Sequence, residues 1–341
     1  MSRSLTRITR RVALAAAALF AAAPLAFAQT PIVIKFSHVV ASDTPKGQAA
    51  DMFKKLVEER SKGTVKIEVY PNSQLYKDKE EMEALQLGSV QMLAPSLAKF
   101  APLGVKEFEV FDLPFIMPNE DSFAKVSRSP VGAKLFDKLE TKGVKGLAYW
   151  DNGPHIMSAN KPLHVPADFR GLKMRIQSSK VLDAQMRALG ALPQVMAFSE
   201  LYQGLQTGVV DGTEGVPSNF WTQKIFEVQK HITISNHGHL AYAVIVNKKF
   251  WDGLPADTRK MLEGAMKDAT DFENKVAKQD NEKALELIRK SGKTTIYTLT
   301  PEERGQWIKT LLPLHTEMQS RLGGDLIQEF YKYSGFSVTG H

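Results

Sequence analysis

Apolar positions along the chain switch repeatedly between a period of two and a period near 3.6. The run Ile32-Val33-Ile34-Lys35-Phe36-Ser37 is β-rich, and Val65-Lys66-Ile67-Glu68-Val69-Tyr70 alternates as a half-buried strand does. Between them Ala49, Ala50, Phe53, Leu56 and Val57 recur at helical spacing, which predicts a helix over 47–61 after a turn through Asp43 and Pro45. The grammar continues with a helix over 77–87, strands over 90–94, 145–150 and 171–176, and a helix over 180–189. A helix over 199–207 follows, opened by a serine cap with Glu200 and Gln203 in its first turn, and then a strand over 239–246. Strands alternating with helices argue for α/β sheets. At 341 residues the chain exceeds one ordinary core and suits two lobes. No fixed-period repeat or low-complexity tract points to a solenoid.

The longest periodic segment follows Pro255. No further Pro occurs up to Arg289, the only Gly is Gly264, and Met261, Leu262, Ala265, Met266, Ala269, Phe272 and Val276 line one face. A helix of that length makes a rod of roughly 50 Å, long enough to run along both lobes. The alternative is two helices meeting at 272–274.

The N-terminus changes the expected compartment. Arg3, Arg7, Arg10 and Arg11 precede an Ala-rich apolar run over 12–27, and Ala26-Phe27-Ala28 supplies small residues two apart. That is the layout of a secretory signal peptide over 1–28, short for a membrane anchor and broken by Pro24, and it predicts cleavage near Ala28 and a periplasmic protein. Removing those four arginines lowers the net charge from +7 to +3. So small a charge, without a basic stripe, gives no sign of a nucleic-acid partner. Cysteine is absent, which excludes disulfides, thiolate metal ligands and a cysteine nucleophile.

Catalytic signatures are sparse. Ser96-Leu97-Ala98-Lys99 has the S-x-x-K spacing of a secreted serine hydrolase, yet the S-D-N and K-T-G elements that accompany it are missing. His237-Gly238-His239 would place two imidazoles on one face of a strand, but no neighbouring spacing nominates a third metal ligand. There is no H-E-x-x-H, no G-x-S-x-G, and no glycine-rich phosphate or dinucleotide loop. The sequence therefore predicts no enzyme, no resident metal and no cofactor.

Seven separated segments carry a resemblance: Ile34-Lys35-Phe36-Ser37-His38-Val39, Tyr70-Pro71-Asn72-Ser73-Gln74-Leu75, Phe111-Asp112-Leu113-Pro114-Phe115, Gly171-Leu172-Lys173-Met174-Arg175, Phe198-Ser199-Glu200-Leu201-Tyr202, Leu205-Gln206-Thr207-Gly208-Val209-Val210-Asp211-Gly212 and Glu227-Val228-Gln229-Lys230. In this order, over 31–255, they resemble the DctP-type periplasmic solute receptors of TRAP transporters. The resemblance implies an α/β, two-lobed periplasmic binding protein fold of type II-like topology, with a long helix spanning both lobes. Lobe I is expected at 29–152 and 241–280, lobe II at 153–240 and 281–341. It further implies a small-molecule carboxylate ligand, C4-dicarboxylate-like or related, delivered by a monomeric receptor to the small and large membrane subunits of a TRAP transporter. A receptor for an ABC importer or a signalling partner is the alternative within the same architecture.

Arg175 follows Gly171-Leu172-Lys173-Met174, so it can project from a strand end into a cleft, and its planar guanidinium matches a carboxylate bidentately. In the resembled family the Arg at this motif makes that salt bridge. The expected ligand-contacting positions are Arg175, His155, Phe198, Gly215, Ser96, Trp150, Asn152, His239 and Asn219, with Phe220 and Trp221 as further aromatic walls. Three departures bear on the substrate. Relatives usually carry Lys or Arg near His155, commonly place a ligand-contacting Asn where Gly215-Val216 stands, and often have Tyr at His239. His155 is accordingly expected to act as a second anion contact, and the missing Asn side chain to leave room for a bulkier or differently oriented acid.

Overall fold

A computed structural model describes residues 30–338; the leader and its cleavage site lie outside the described residues. Among the described residues, eleven strands form two sheets. The first contains β1 (Ile32–Ser37), β2 (Val65–Tyr70), β3 (Met92–Leu93), β4 (Val144–Pro154) and β10 (His239–Asn247), in the order β2-β1-β3-β10-β4. The second contains β5 (Ile156–Ala159), β6 (Lys173–Ile176), β7 (Leu192–Val195), β8 (Gly212–Gly215), β9 (His231–Ile234) and β11 (Thr295–Thr298), in the order β11-β9-β5-β8-β6-β7. β1 pairs in parallel with β2 and β3, whereas β10 runs antiparallel to β3 and β4. Each sheet is covered on both faces, by two apolar clusters apiece. Parallel strands joined by helical crossovers require such double cover.

Parity along β10 divides the first sheet. Leu240, Tyr242, Val244 and Val246 join the cluster under the helix Pro45–Arg60, while Ala241, Ala243 and Ile245 join Phe111, Phe123 and Tyr149 on the opposite face. The chain passes from the first sheet to the second at His155 and returns through 235–238. These two crossings are tied together, since the His155 N–H donates to the Gly238 carbonyl (2.9 Å) and the Asn236 N–H to the His155 carbonyl (3.1 Å).

The long helix is continuous over Ala256–Ser291, 36 residues or roughly 54 Å. Leu262, Ala265, Met266 and Ala269 pack on the first sheet, and Ile288 reaches the cluster of the second. Small residues at 265, 269, 277 and 284 are buried, which lets the rod lie close to both. Trp150 Nε1 donates to Thr270 Oγ1 (2.9 Å), and Asn281 accepts from the Ser218 N–H (2.9 Å) and donates to the Asn152 carbonyl (2.7 Å). The C-terminal helix Gly324–Ser334 sends Ile327 and Phe330 back into the first sheet's cluster with Phe111.

Two helices are shorter than their periodicity predicts. Residues 77–80 form turns, and the helix begins at Glu81 because the Asp78 carboxylate bonds elsewhere instead of capping it. Likewise Ser199 caps nothing. Phe198–Glu200 is a 3-10 turn, the helix proper is Leu201–Gln206, and the Phe198 N–H is taken by Asp78 Oδ2 (2.7 Å). No helix among the described residues is long and apolar enough to cross a membrane.

Candidate functional site: a cation-lined cleft between the sheets

A compact cavity of about 40 Å³ lies between the two sheets. Arg175 enters it from β6, between β7 and β8, with its side chain almost fully buried. Its Nε donates to the Met196 carbonyl (3.0 Å), which fixes the fork, and the guanidinium carbon sits 5.8 Å from the Phe198 ring centroid. Among the described residues no hydrogen bond or ion pair engages its two terminal nitrogens, although Asp78 and Glu214 lie close enough to influence its charge. A buried guanidinium held by one carbonyl keeps its terminal donors available for an anion.

Lys46 enters from the other side. It sits in the first turn of the helix Pro45–Arg60, where Thr44 Oγ1 accepts from the Gly47 N–H (3.1 Å). A Cβ at Gly47 would fall 2.4 Å from the Ala41 carbonyl oxygen, so only glycine allows this tight entrance. The Lys46 ammonium donates to the Ala94 carbonyl (2.9 Å) and lies 3.8 Å from the centroid of the Tyr242 ring. The ring face and the carbonyl replace part of its lost hydration. Burial first, and then the nearby Lys99, push its pKa down to about 7. The Tyr242 hydroxyl is held by two amides, accepting from Asn152 Nδ2 (2.8 Å) and Asn219 Nδ2 (3.4 Å).

Lys99 is differently employed. It is ion-paired with Asp78 and with Glu81 (3.4 Å), and although burial opposes it these carboxylates hold its pKa above the usual lysine value. Asp78 in turn, despite its burial, is kept well below the usual carboxylate range by Lys99 and Arg175, and it accepts from the Phe198 N–H across the cleft. Ser96 Oγ donates to Gln177 Oε1, also across the cleft. An ammonium locked between two carboxylates cannot take the serine proton, so the S-x-x-K pair is a structural bridge and not a nucleophile with its base.

Six of the nine expected positions come together: Arg175, His155, Phe198, Gly215, Ser96 and Asn219 all line the cavity, as does Phe220. Three do not. Trp150 is fully buried in the first-sheet core. Asn152 stands behind Tyr242 and reaches the cavity only through the bond to its hydroxyl. His239 has the opposite strand parity, so it faces away, pairs with Asp151 (2.6 Å) and stacks on Phe123 at 5.3 Å. Trp221 stacks on Phe226 instead of walling the cleft. His237 and His239 therefore do not share a face.

Two substrate expectations change. The space freed at Gly215 is filled, because a Cβ there would fall 2.6 Å from Phe220 Cε1. His155 lines the cavity, but its Nδ1 lies 3.4 Å from Glu214 Oε2, so a carboxylate already faces the cation expected there. Lys46, Asp78, Gln177 and Tyr242 are cavity residues that sequence reading missed. Only Lys46 offered a signal, a lysine directly after a helix-opening Thr-Pro.

The geometry matches a known group of proteins. A sequence model of the DctP family, described as bacterial extracellular solute-binding protein, family 7, matches residues 36–322. The chain belongs to this family. It is 65% identical over 297 residues to the C4-dicarboxylate-binding periplasmic protein DctP of Rhodobacter capsulatus, covering 87% of this chain and 89% of that one. A TRAP periplasmic solute binding protein from Shewanella oneidensis, solved with bound succinate, superposes with a TM-score of 0.87 at 42% identity, covering 89% of this chain and 99% of that one. Another from Pseudomonas aeruginosa, solved with bound L-malate, gives 0.82 at 44% identity over 84% and 100%. This DctP-family chain accordingly has the two-lobed periplasmic binding fold, with the long helix running along both lobes.

Proposed function

We propose that the chain is a periplasmic receptor that encloses a C4-dicarboxylate-like acid between its lobes and hands it to the membrane subunits of a TRAP transporter. Arg175 carries the proposal, as a buried fork whose two terminal nitrogens have no acceptor among the described residues. It clamps one carboxylate, and Lys46 takes the second from the opposite wall, the role His155 was expected to fill. Each charge-assisted hydrogen bond contributes about 1.5–3 kcal/mol, so a bidentate clamp supplies roughly 3–6. Micromolar affinity requires about 8 kcal/mol. The Lys46 contact and burial against Phe198 and Phe220 supply the remainder. The succinate and malate bound to its relatives favour this acid class.

The same reading makes the chain a carrier and not a catalyst, exported by the leader at 1–28. The lobes divide at the crossings near His155 and 235–238, with the helix Gly324–Ser334 packed on lobe I. A thermal-shift panel of succinate, malate, fumarate and galactonate tests the ligand class. At one hundred times Kd a ligand adds about 2.7 kcal/mol of stability, a shift of several degrees. The expected result is a shift with the dicarboxylates that vanishes in Arg175→Ala. Full stabilisation of that variant would overturn the proposal.

A further inference from the structure

We propose that His155, Glu214 and His237 form a site for one transition-metal dication of the zinc class, set into the wall of the acid cavity. The three side chains come from three different elements: the crossing after β4, strand β8, and the return crossing before β10. They are 4%, 2% and 0% exposed. His155 Nδ1 and His237 Nε2 lie 3.4 and 3.3 Å from the same oxygen, Glu214 Oε2, and the three ligand atoms all fall within 4.8 Å of one another.

Those separations are long for hydrogen bonds between imidazole nitrogen and carboxylate. They suit a shared metal, because bonds of about 2.0–2.2 Å in tetrahedral geometry put neighbouring ligand atoms roughly 3.3 Å apart. Both ring nitrogens of His155 and the Glu214 Oε1 are buried without a hydrogen bond in the protein. The other nitrogen of His237 is oriented by Ser235 Oγ at 2.7 Å, the outer contact that fixes which nitrogen of a metal-binding imidazole faces the ion. Glycine at 238 keeps the approach open, since a Cβ there would fall 2.9 Å from His155 Nδ1. Two neutral imidazoles and one carboxylate carry a single negative charge, so a dication leaves the cluster net positive beside a cavity built to receive an acid. His155 and Glu214 line that cavity, which leaves the fourth coordination position to an oxygen donor there. Sequence spacing could not nominate this set, because the two partners of His237, Glu214 and His155, are 23 and 82 residues away in the chain.

Calorimetric titration of metal-stripped, tag-free protein with Zn²⁺, and visible spectroscopy with Co²⁺, both without any acid present, test the site independently of the proposed ligand. The expected result is one equivalent bound with the absorption of four-coordinate cobalt. Glu214→Gln and His237→Gln should each weaken binding at least tenfold, while His239→Gln leaves it unchanged. Ser235→Ala retains all three ligands and serves where the others fail to fold; it should bind about tenfold more weakly. Absence of stoichiometric binding, or folded Glu214→Gln, His237→Gln and Ser235→Ala proteins binding as the parent does, would overturn the site.

Discussion

Lys46 and Lys99 stand on the same side of the cleft, both fully buried, yet they do opposite work. Lys99 is satisfied within the protein by Asp78 and Glu81, which hold it charged. Lys46 forms no ion pair among the described residues: it bonds a carbonyl and the face of Tyr242, Glu81, Asp78 and Glu273 act on it only from a distance, and burial with the nearby Lys99 brings its pKa down to about 7. A buried ammonium with its own carboxylates is architecture; one without them is a receptor, because removing a charge from water is compensated only when a counter-charge arrives. Arg175 belongs to the second kind.

The largest effect is expected at Arg175. Replacement by Ala should weaken dicarboxylate binding by two to four orders of magnitude, the equivalent of the roughly 3–6 kcal/mol assigned to its fork, as read by calorimetry. Lys46→Met should cost about ten- to a hundredfold for a dicarboxylate and little for a monocarboxylate of the same length. Lys99→Met, by contrast, strips the partner from two buried carboxylates, so its damage should appear as lost thermal stability in the acid-free protein.

The pH profile sharpens the contrast. Because the folded-state pKa of Lys46 is depressed to about 7, its ammonium is present below that pH and lost above it. Dianion affinity should therefore fall as pH rises from 7 to 9, by up to tenfold per unit, with a proton taken up on binding. Lys46→Met should flatten the profile. A slope that survives that substitution and disappears in His155→Gln would return the second contact to the histidine.

Smaller effects mark the cavity's edges. Gly215→Asn forces a side chain into the Phe220 ring and should cost about 1–3 kcal/mol of stability, partly recovered by Phe220→Ala. His239→Gln, on the far face of β10, should leave affinity within twofold of the parent in the same titration.

Much of the architecture was legible from periodicity, including the alternating strands and the rod after Pro255. That Arg175 lies in the cavity was legible because a motif surrounds it. What sequence could not supply was parity and depth. Trp150 and Asn152 lie on the face of Tyr242 but too deep to reach the cavity, whereas the pleat of β10 turned His239 outward while Tyr242 turned in. Lys46 went unread because its meaning depends on Ala94 and Tyr242, 48 and 196 residues away. The helix over 77–87 was overdrawn for a related reason: Asp78 gives up a local capping role for partners at 99 and 198.

The electron density of crystals grown with succinate tests the roles of Arg175 and Lys46 together. The expected density has one carboxylate paired bidentately with the terminal nitrogens of Arg175 and the other within hydrogen-bond distance of the Lys46 ammonium. Succinate seated with Lys46 still bonded only to Ala94, and its second carboxylate on other groups, would contradict it.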